Sequence, residues 1–270
     1  MSFAVTLVLA AAAQAAPPAV FVLSPEGERM VMERVAEPPT DGSDPPPPAW
    51  TGVKKGEPYR IADLKGLGAA VTASDDGGAL RPGCAGEELP TIPFDTLPAF
   101  EEPIMLVPGT WPAMPKTITP VNATEAWLLP LIAAGLKAET VKNPAVKRGT
   151  ALKADLNGDG VDETIFSVSN MEEGAEKRAP GEYTLLAVEW VKDGKSTVVP
   201  LATQAVTAEN ADYGEVNWDI PQLVAIADFD GDGAMEVVAV IWGYEQMDVV
   251  AWSFAPDGTP HVAYTTGCAV

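Results

Sequence analysis

Two nine-residue stretches of this 270-residue chain repeat one pattern 73 residues apart: Asp155-Leu156-Asn157-Gly158-Asp159-Gly160-Val161-Asp162-Glu163 and Asp228-Phe229-Asp230-Gly231-Asp232-Gly233-Ala234-Met235-Glu236. In both, oxygen-bearing side chains stand at positions 1, 3, 5 and 9, and glycines stand at 4 and 6. A strand-forming run follows each at once, TIFSV after the first and EVVAV across the end of the second, because β-branched side chains fit a pleated surface better than a helix. A short apolar segment ending in Ala precedes each. The chain therefore carries a duplicated strand, loop, strand unit, and its C-terminal part is predicted to be all β.

The spacing has a direct chemical meaning. Calcium takes roughly 6–8 oxygen ligands at about 2.3–2.6 Å, and a tightly turning loop aims alternate positions at one point. In the first loop these are Asp155, Asn157 and Asp159, with the carbonyl of Val161 at position 7 and Glu163 closing the site at position 9. The second offers Asp228, Asp230, Asp232, the Ala234 carbonyl and Glu236. Position 7 contributes only backbone, which explains why an apolar residue is acceptable there. Gly160 and Gly233 at position 6 allow the sharp positive-φ bend that a side chain opposes. An EF-hand begins the same way but needs a glutamate at position 12 and a helix on each side. Here position 12 is Phe166 or Ala239, inside strand-forming runs, so that motif is excluded. Solvated Asp-Gly turns are the competing reading; the match at every ligand position favours metal. The second loop has four carboxylates where the first has three and an amide, so it is expected to be the tighter site. A third stretch, RIADLKGLGAAV at 60–71, keeps Asp63 and two glycines but has Lys65, Leu67 and Val71 where donors would be needed, and it is not expected to hold calcium in this way.

On these residues the part of the chain from about 147 to 270 resembles the FG-GAP or VCBS-type repeat of integrin α-subunit propellers and of many secreted bacterial proteins. The resemblance implies propeller-blade-like antiparallel sheets, in which the acidic loop joins two strands of one blade and holds calcium. By it, Asp155, Asn157, Asp159, Val161 and Glu163 form one site, and Asp228, Asp230, Asp232, Ala234 and Glu236 another. The Phe-Gly and Gly-Ala-Pro elements that name the family are absent from the chain. Two blades are fewer than the ~4–8 of a closed propeller, so either the N-terminal part adds strands or the two units pack as an open pair of sheets.

The rest of the chain divides by composition. Residues 1–15 form an apolar run ending in Ala13-Gln14-Ala15, which fits a secretory signal peptide, although no Lys or Arg precedes Arg29 and a buried strand or helix is the alternative. Residues 16–146 read as a β-rich, Pro-rich N-terminal part with one helix. Within it, 19–35 reads as two strands around a Pro25-Glu26-Gly27 turn, and 37–50 as an extended linker, since proline lacks the N–H a sheet requires. Residues 89–120 carry a proline every few positions and are expected to form an ordered, extended wrap. The helix is predicted over 122–139. Asn122 and Glu125 make a capping box, Trp127, Leu128, Leu131, Ile132 and Leu136 an apolar face, and Pro130 a kink. Residues 147–270 hold the two repeats, with Lys192-Asp193-Gly194-Lys195 and Pro256-Asp257-Gly258-Thr259 as hairpin turns. The whole is a mainly β fold.

The two cysteines, Cys84 and Cys268, fit a disulfide in an oxidising compartment, with two buried thiols as the alternative. The net charge of −21 divides into −5 for residues 1–150 and −16 for the remainder, a surface that repels nucleic-acid phosphate and attracts cations. Beyond the N-terminal run, no segment is long and apolar enough to span a membrane. His261 is the only histidine and is expected on a strand, which removes most zinc sites. No Gly-rich phosphate loop with Lys, nucleophile elbow or C-x-x-C occurs. These features predict a secreted or periplasmic, non-catalytic module with calcium as a structural cofactor and a protein or glycan as partner. Trp190, Trp242 and Trp252 offer stacking faces for sugars, though burial is the usual fate of such strand residues. The alternative is a glycan-active hydrolase, which needs two carboxylates outside the loops sharing a cleft.

Overall fold

Short β-branched runs separated by glycine and proline turns cannot satisfy their backbone groups alone, so they pair in antiparallel order with their sequence neighbours. The computed structural model describes residues 20–23, 29–34, 53–76, 80–82, 88–90, 94, 96–110, 117–136, 141, 144–171, 178–208, 221–228, 233–243 and 246–269. Among them, the strands β8 (Thr119–Val121), β9 (Arg148–Ala154), β10 (Glu163–Ser169), β11 (Tyr183–Lys192) and β12 (Lys195–Ala205) form a five-stranded sheet ordered β12-β11-β10-β9-β8. The last four make an up-and-down meander. A second four-strand meander, β13 (Gln222–Ala227), β14 (Glu236–Gly243), β15 (Gln246–Phe254) and β16 (Pro260–Ala269), forms half of a nine-stranded sheet.

The other half of that sheet comes from the N-terminal part. Its strands are β1 (Val20–Leu23), β2 (Arg29–Arg34), β3 (Pro58–Asp63), β4 (Gly66–Thr72) and β7 (Ile104–Pro108), in the order β2-β1-β7-β3-β4. Pairing of Arg34 with Tyr264 and Glu33 with Thr265 joins β2 to β16. The N-terminal part thus supplies strands directly beside the second repeat, and among the described residues neither large sheet closes on itself. A small ribbon pairs β5 (Leu80–Pro82) with β6 (Glu88–Pro90).

The sheets meet through apolar side chains that alternate along their strands. One cluster takes Leu152, Ile165 and Val188 from the five-stranded sheet and Ile226, Val237 and Ala239 from the other. Trp190 stacks on Phe254 with ring centroids 5.2 Å apart, and the 256–259 turn packs on Trp190 so tightly that a Cβ at Gly258 would lie 2.5 Å from the indole. Trp190 and Trp252 are therefore core residues, whereas Trp242 is half-buried. Both expected hairpin turns occur; the Asp193-Gly194 pair has positive φ at both positions, the geometry a two-residue hairpin demands.

Two expectations are corrected. The helix is shorter than 122–139: a 3₁₀ turn at Ala126–Leu128 leads into α1 (Leu129–Gly135). Asn122 does not cap it, because its Oδ1 accepts from the amide and hydroxyl of Thr124 instead. Pro130 lies in the first turn of α1, where its missing N–H costs nothing, so it starts the helix rather than kinking it. Leu128, Ile132 and Leu136 are buried as predicted, but Trp127 is exposed beneath Lys153, whose Nζ is 5.1 Å from the ring centroid. The second correction concerns 89–120. Its Ile104–Pro108 run is no surface wrap; it is β7, fully buried between β1 and β3. The four residues between Pro103 and Pro108 retain their N–H groups and are uniformly apolar, which suffices for an interior strand.

The signal segment 1–15, the linker 37–50, the Pro25-Glu26-Gly27 turn, Cys84 and the side chain of Cys268 lie outside the described residues. No described helix is long and apolar enough to cross a membrane.

Candidate metal centre

The first acidic loop connects β9 to β10, with Ala154 paired to Glu163 where the strands part. The second connects β13 to β14 in the same register, Ala227 opposite Glu236. Position 1 thus follows the last residue of one strand, and position 9 is the first residue of the next.

Within the first loop each donor side chain is engaged by backbone ahead of it. Asp155 accepts from the Gly158 amide at 2.7 Å through one oxygen and from the Gly160 amide at 3.0 Å through the other. Asn157 Oδ1 accepts from the Asp159 amide at 2.9 Å, and Asp159 Oδ1 from the Val161 amide at 2.8 Å. These local turns, typical of Asp and Asn, coil the segment, and Asn157 Nδ2 donates to Asp159 Oδ2 at 3.3 Å. Gly158 and Gly160 have φ of +83° and +87°, conformations closed to most side chains. The Val161 side chain faces solvent, leaving only its backbone for the loop.

Glu163 is the unusual member. It is fully buried; Oε2 accepts from the Leu156 amide at 2.9 Å, while the Val191 amide lies close enough to act on the carboxylate without a well-formed hydrogen bond to Oε1. Burial pushes its pKa up, the Leu156 and Val191 amides draw it back, and the charges of Asp159 and Asp155 push it up again. A buried carboxylate beside two further carboxylates is costly unless a proton or a cation neutralises it. All the oxygen donors are hard, the class calcium prefers. The residues present fit such an ion. Among the described residues no three His, Cys, Asp or Glu side chains stand together as a metal-holding group. Asp155, Asp159 and Glu163 are all described, so as they stand they are not drawn together, and ion binding would require them to close up.

In the second loop Asp228 Oδ2 accepts from the Gly233 amide at 2.9 Å, repeating the Asp155 to Gly160 bond, and Gly233 has φ of +90°. Glu236 is buried like Glu163. Asp230 and Asp232 lie outside the described residues. The third stretch is different in kind: Asp63 pairs with Gly66 across a two-residue turn between β3 and β4, and Asp63 Oδ1 accepts from the Lys65 amide at 2.7 Å.

Leu156, at position 2 of the first loop, and Met235, at position 8 of the second where the first has Asp162, have no role in the ligand pattern. Leu156 and Met235 are both buried in the inter-sheet core, and the Met235 amide donates to the Leu156 carbonyl at 2.7 Å, so the two loops touch. Apolar residues inside otherwise acidic loops were the available signal.

A cleft of about 690 Å³ lies between the sheets at the hairpin ends remote from the acidic loops, lined by Asp63, Lys65, Glu102, Arg148, Gln222 and Trp242 among others. Gln222 Nε2 donates to Glu102, and Ser167 Oγ to the Pro221 carbonyl. Asp75 and Asp76 are instead surface turn residues, Asp76 accepting from the Lys55 amide at 2.7 Å. His261 is an exposed residue of β16 opposite Ser253. In comparisons with protein-family models, curated proteins and solved structures, nothing matches this chain.

Proposed function

We propose that this chain is a calcium-stabilised β-repeat protein of the FG-GAP or VCBS type, exported to the periplasm or the exterior, in which the ion is structural and the fold serves recognition or scaffolding. One observation carries the reading. Glu163 is buried without a well-formed hydrogen bond to Oε1, at the position where an acidic loop of matching donors needs its closing ligand. The equal register of the two loop-bearing hairpins within two four-strand meanders supports the blade-like repeat. Asp155, Asn157, Asp159, Glu163 and the Val161 carbonyl would hold one ion; Asp228, Asp230, Asp232, Glu236 and the Ala234 carbonyl would hold a second. The ion supplies positive charge that cancels carboxylate repulsion, and the chain supplies the preformed turn.

The test is a thermal melt in calcium and in chelator, repeated for Asp155→Ala and Asp228→Ala. A calcium-dependent rise in Tm that shrinks in each variant is expected, and identical melts in both buffers would reject the reading. A second reading, a glycan-active hydrolase, is favoured by Asp63 and Glu102 lining one cleft with Trp242. Hydrolysis of nitrophenyl glycosides that disappears in both Asp63→Asn and Glu102→Gln would replace the binding-module reading with that one.

A further inference from the structure

Resting on the calcium reading above, we infer that the first loop is a clasp: its loading and the docking of the β13–β14 hairpin onto the five-stranded sheet are one coupled equilibrium. Leu156 sits between two donors of the first loop, Asp155 and Asn157. Its N–H donates to the Glu163 carboxylate at 2.9 Å, and its carbonyl accepts from the Met235 N–H at 2.7 Å. Met235 in turn directly precedes Glu236, the first residue of β14. A continuous run of hydrogen bonds therefore leads from the closing carboxylate of the first loop into the opposite sheet. It is dry throughout: Leu156, Met235, Glu163 and Glu236 are each at most 1% exposed.

The direction of the coupling follows from charge. With no cation, Asp155, Asp159 and buried Glu163 repel one another, and any displacement of the Glu163 carboxylate moves the Asp155–Leu156 peptide whose N–H it holds. A cation drawing these carboxylates together would fix that peptide and, through the Leu156 Cα, limit the orientation of the next one, whose carbonyl meets Met235. Docking of Met235 restrains that following Leu156–Asn157 peptide, so the two restraints act on the two sides of one residue. Each event favours the other by the same factor, as linkage requires. A calcium loop standing free at a sheet edge would have no such effect on its neighbour.

Hydrogen exchange and calorimetry with calcium chloride test this on the full chain, in an Asp228→Ala background so that protection of β14 cannot arise from the second loop. Calcium is expected to slow exchange of the Val237–Val240 amides about tenfold, and Met235→Pro, which removes the N–H that Leu156 accepts from and touches no donor of the first loop, is expected to weaken its calcium affinity about fivefold. Calcium binding with unchanged exchange at Val237–Val240 would overturn the clasp while leaving the calcium reading intact, a result that stands even where Met235→Pro fails to fold. An unchanged affinity in a folded Met235→Pro would overturn it equally. Absence of calcium binding by the unmutated chain would remove both.

Discussion

The hairpins β9–β10 and β3–β4 leave their first strands alike, with Asp155-Leu156-Asn157-Gly158 in one and Asp63-Leu64-Lys65-Gly66 in the other, and then diverge. In the second, Gly66 takes a φ of +108° and the chain returns at once into β4, where Leu67 packs against the core. In the first, the next residue is Asp159, which has no place in an apolar interface; it stays in solvent, and four residues, 159–162, pass before Glu163 starts β10. A leucine at position 5 is pulled into the sheet and an aspartate is held out of it. The β13–β14 hairpin also has an aspartate at position 5 and keeps the longer register. The acidic side chains thus shape the loop by refusing burial and by turning their own backbone.

The largest expected effect concerns the ion itself. Calcium at about a hundredfold over Kd adds ~2.7 kcal/mol per site, which is roughly 5–10 °C in Tm for a chain of this size, measured by calorimetry against chelator. Asp155→Ala is expected to remove one site's share, whereas Asp63→Ala leaves the calcium response whole. Next, Gly160→Ala and Gly66→Ala should each cost about 1–2 kcal/mol, since both glycines have positive φ and open space around them, so strain is the only term. Only Gly160→Ala should also weaken calcium binding, seen by titration calorimetry. Smaller still, Glu163→Gln is expected to raise Tm in chelator by a few degrees, because it removes a buried charge crowded by Asp159 and Asp155, and to abolish the calcium response of that loop. Introducing donors into the short hairpin, as Leu67→Asp with Val71→Glu, is expected to create no calcium site; a gain of binding would show that donor identity alone, without loop length, is sufficient.

The smallest effect appears only in alkali and distinguishes the interior of the loop-bearing sheet from its rim. Burial pushes the Tyr183 phenol up to about 12, and its hydroxyl donates to the Ala145 carbonyl at 2.8 Å. The folded state therefore favours the neutral phenol. Its contribution to stability is whole below the ordinary value near 10 and declines as pH rises from there through 12. Tyr183→Phe should flatten that part of the stability profile in denaturant melts between pH 9 and 12.

Legibility in the sequence followed range. The acidic loops were readable because their donors, glycines and flanking strands lie within nine residues, where local turn chemistry decides the backbone. The β-turns at 193–194 and 257–258 and the mainly β character were readable for the same reason. The helix was misjudged in length: the capping signal at Asn122 was satisfied more locally by Thr124, and a proline read as a kink stands in a first turn. The strand at 104–108 was hidden by the prolines around it, since composition averages over a window and a sheet needs only the few N–H groups of one short run.

By itself, then, the order of residues determined which segments turn, which extend, and where the acidic turns fall, all interactions between positions close along the chain. Only the tertiary structure decided that the N-terminal strands lie beside the second repeat, that Asp63 and Glu102 share a cleft with Trp242, and that Leu156 meets Met235 across two sheets. Those contacts join residues far apart in sequence. They depend on how buried faces pack, and no local pattern specifies which distant face will cover which.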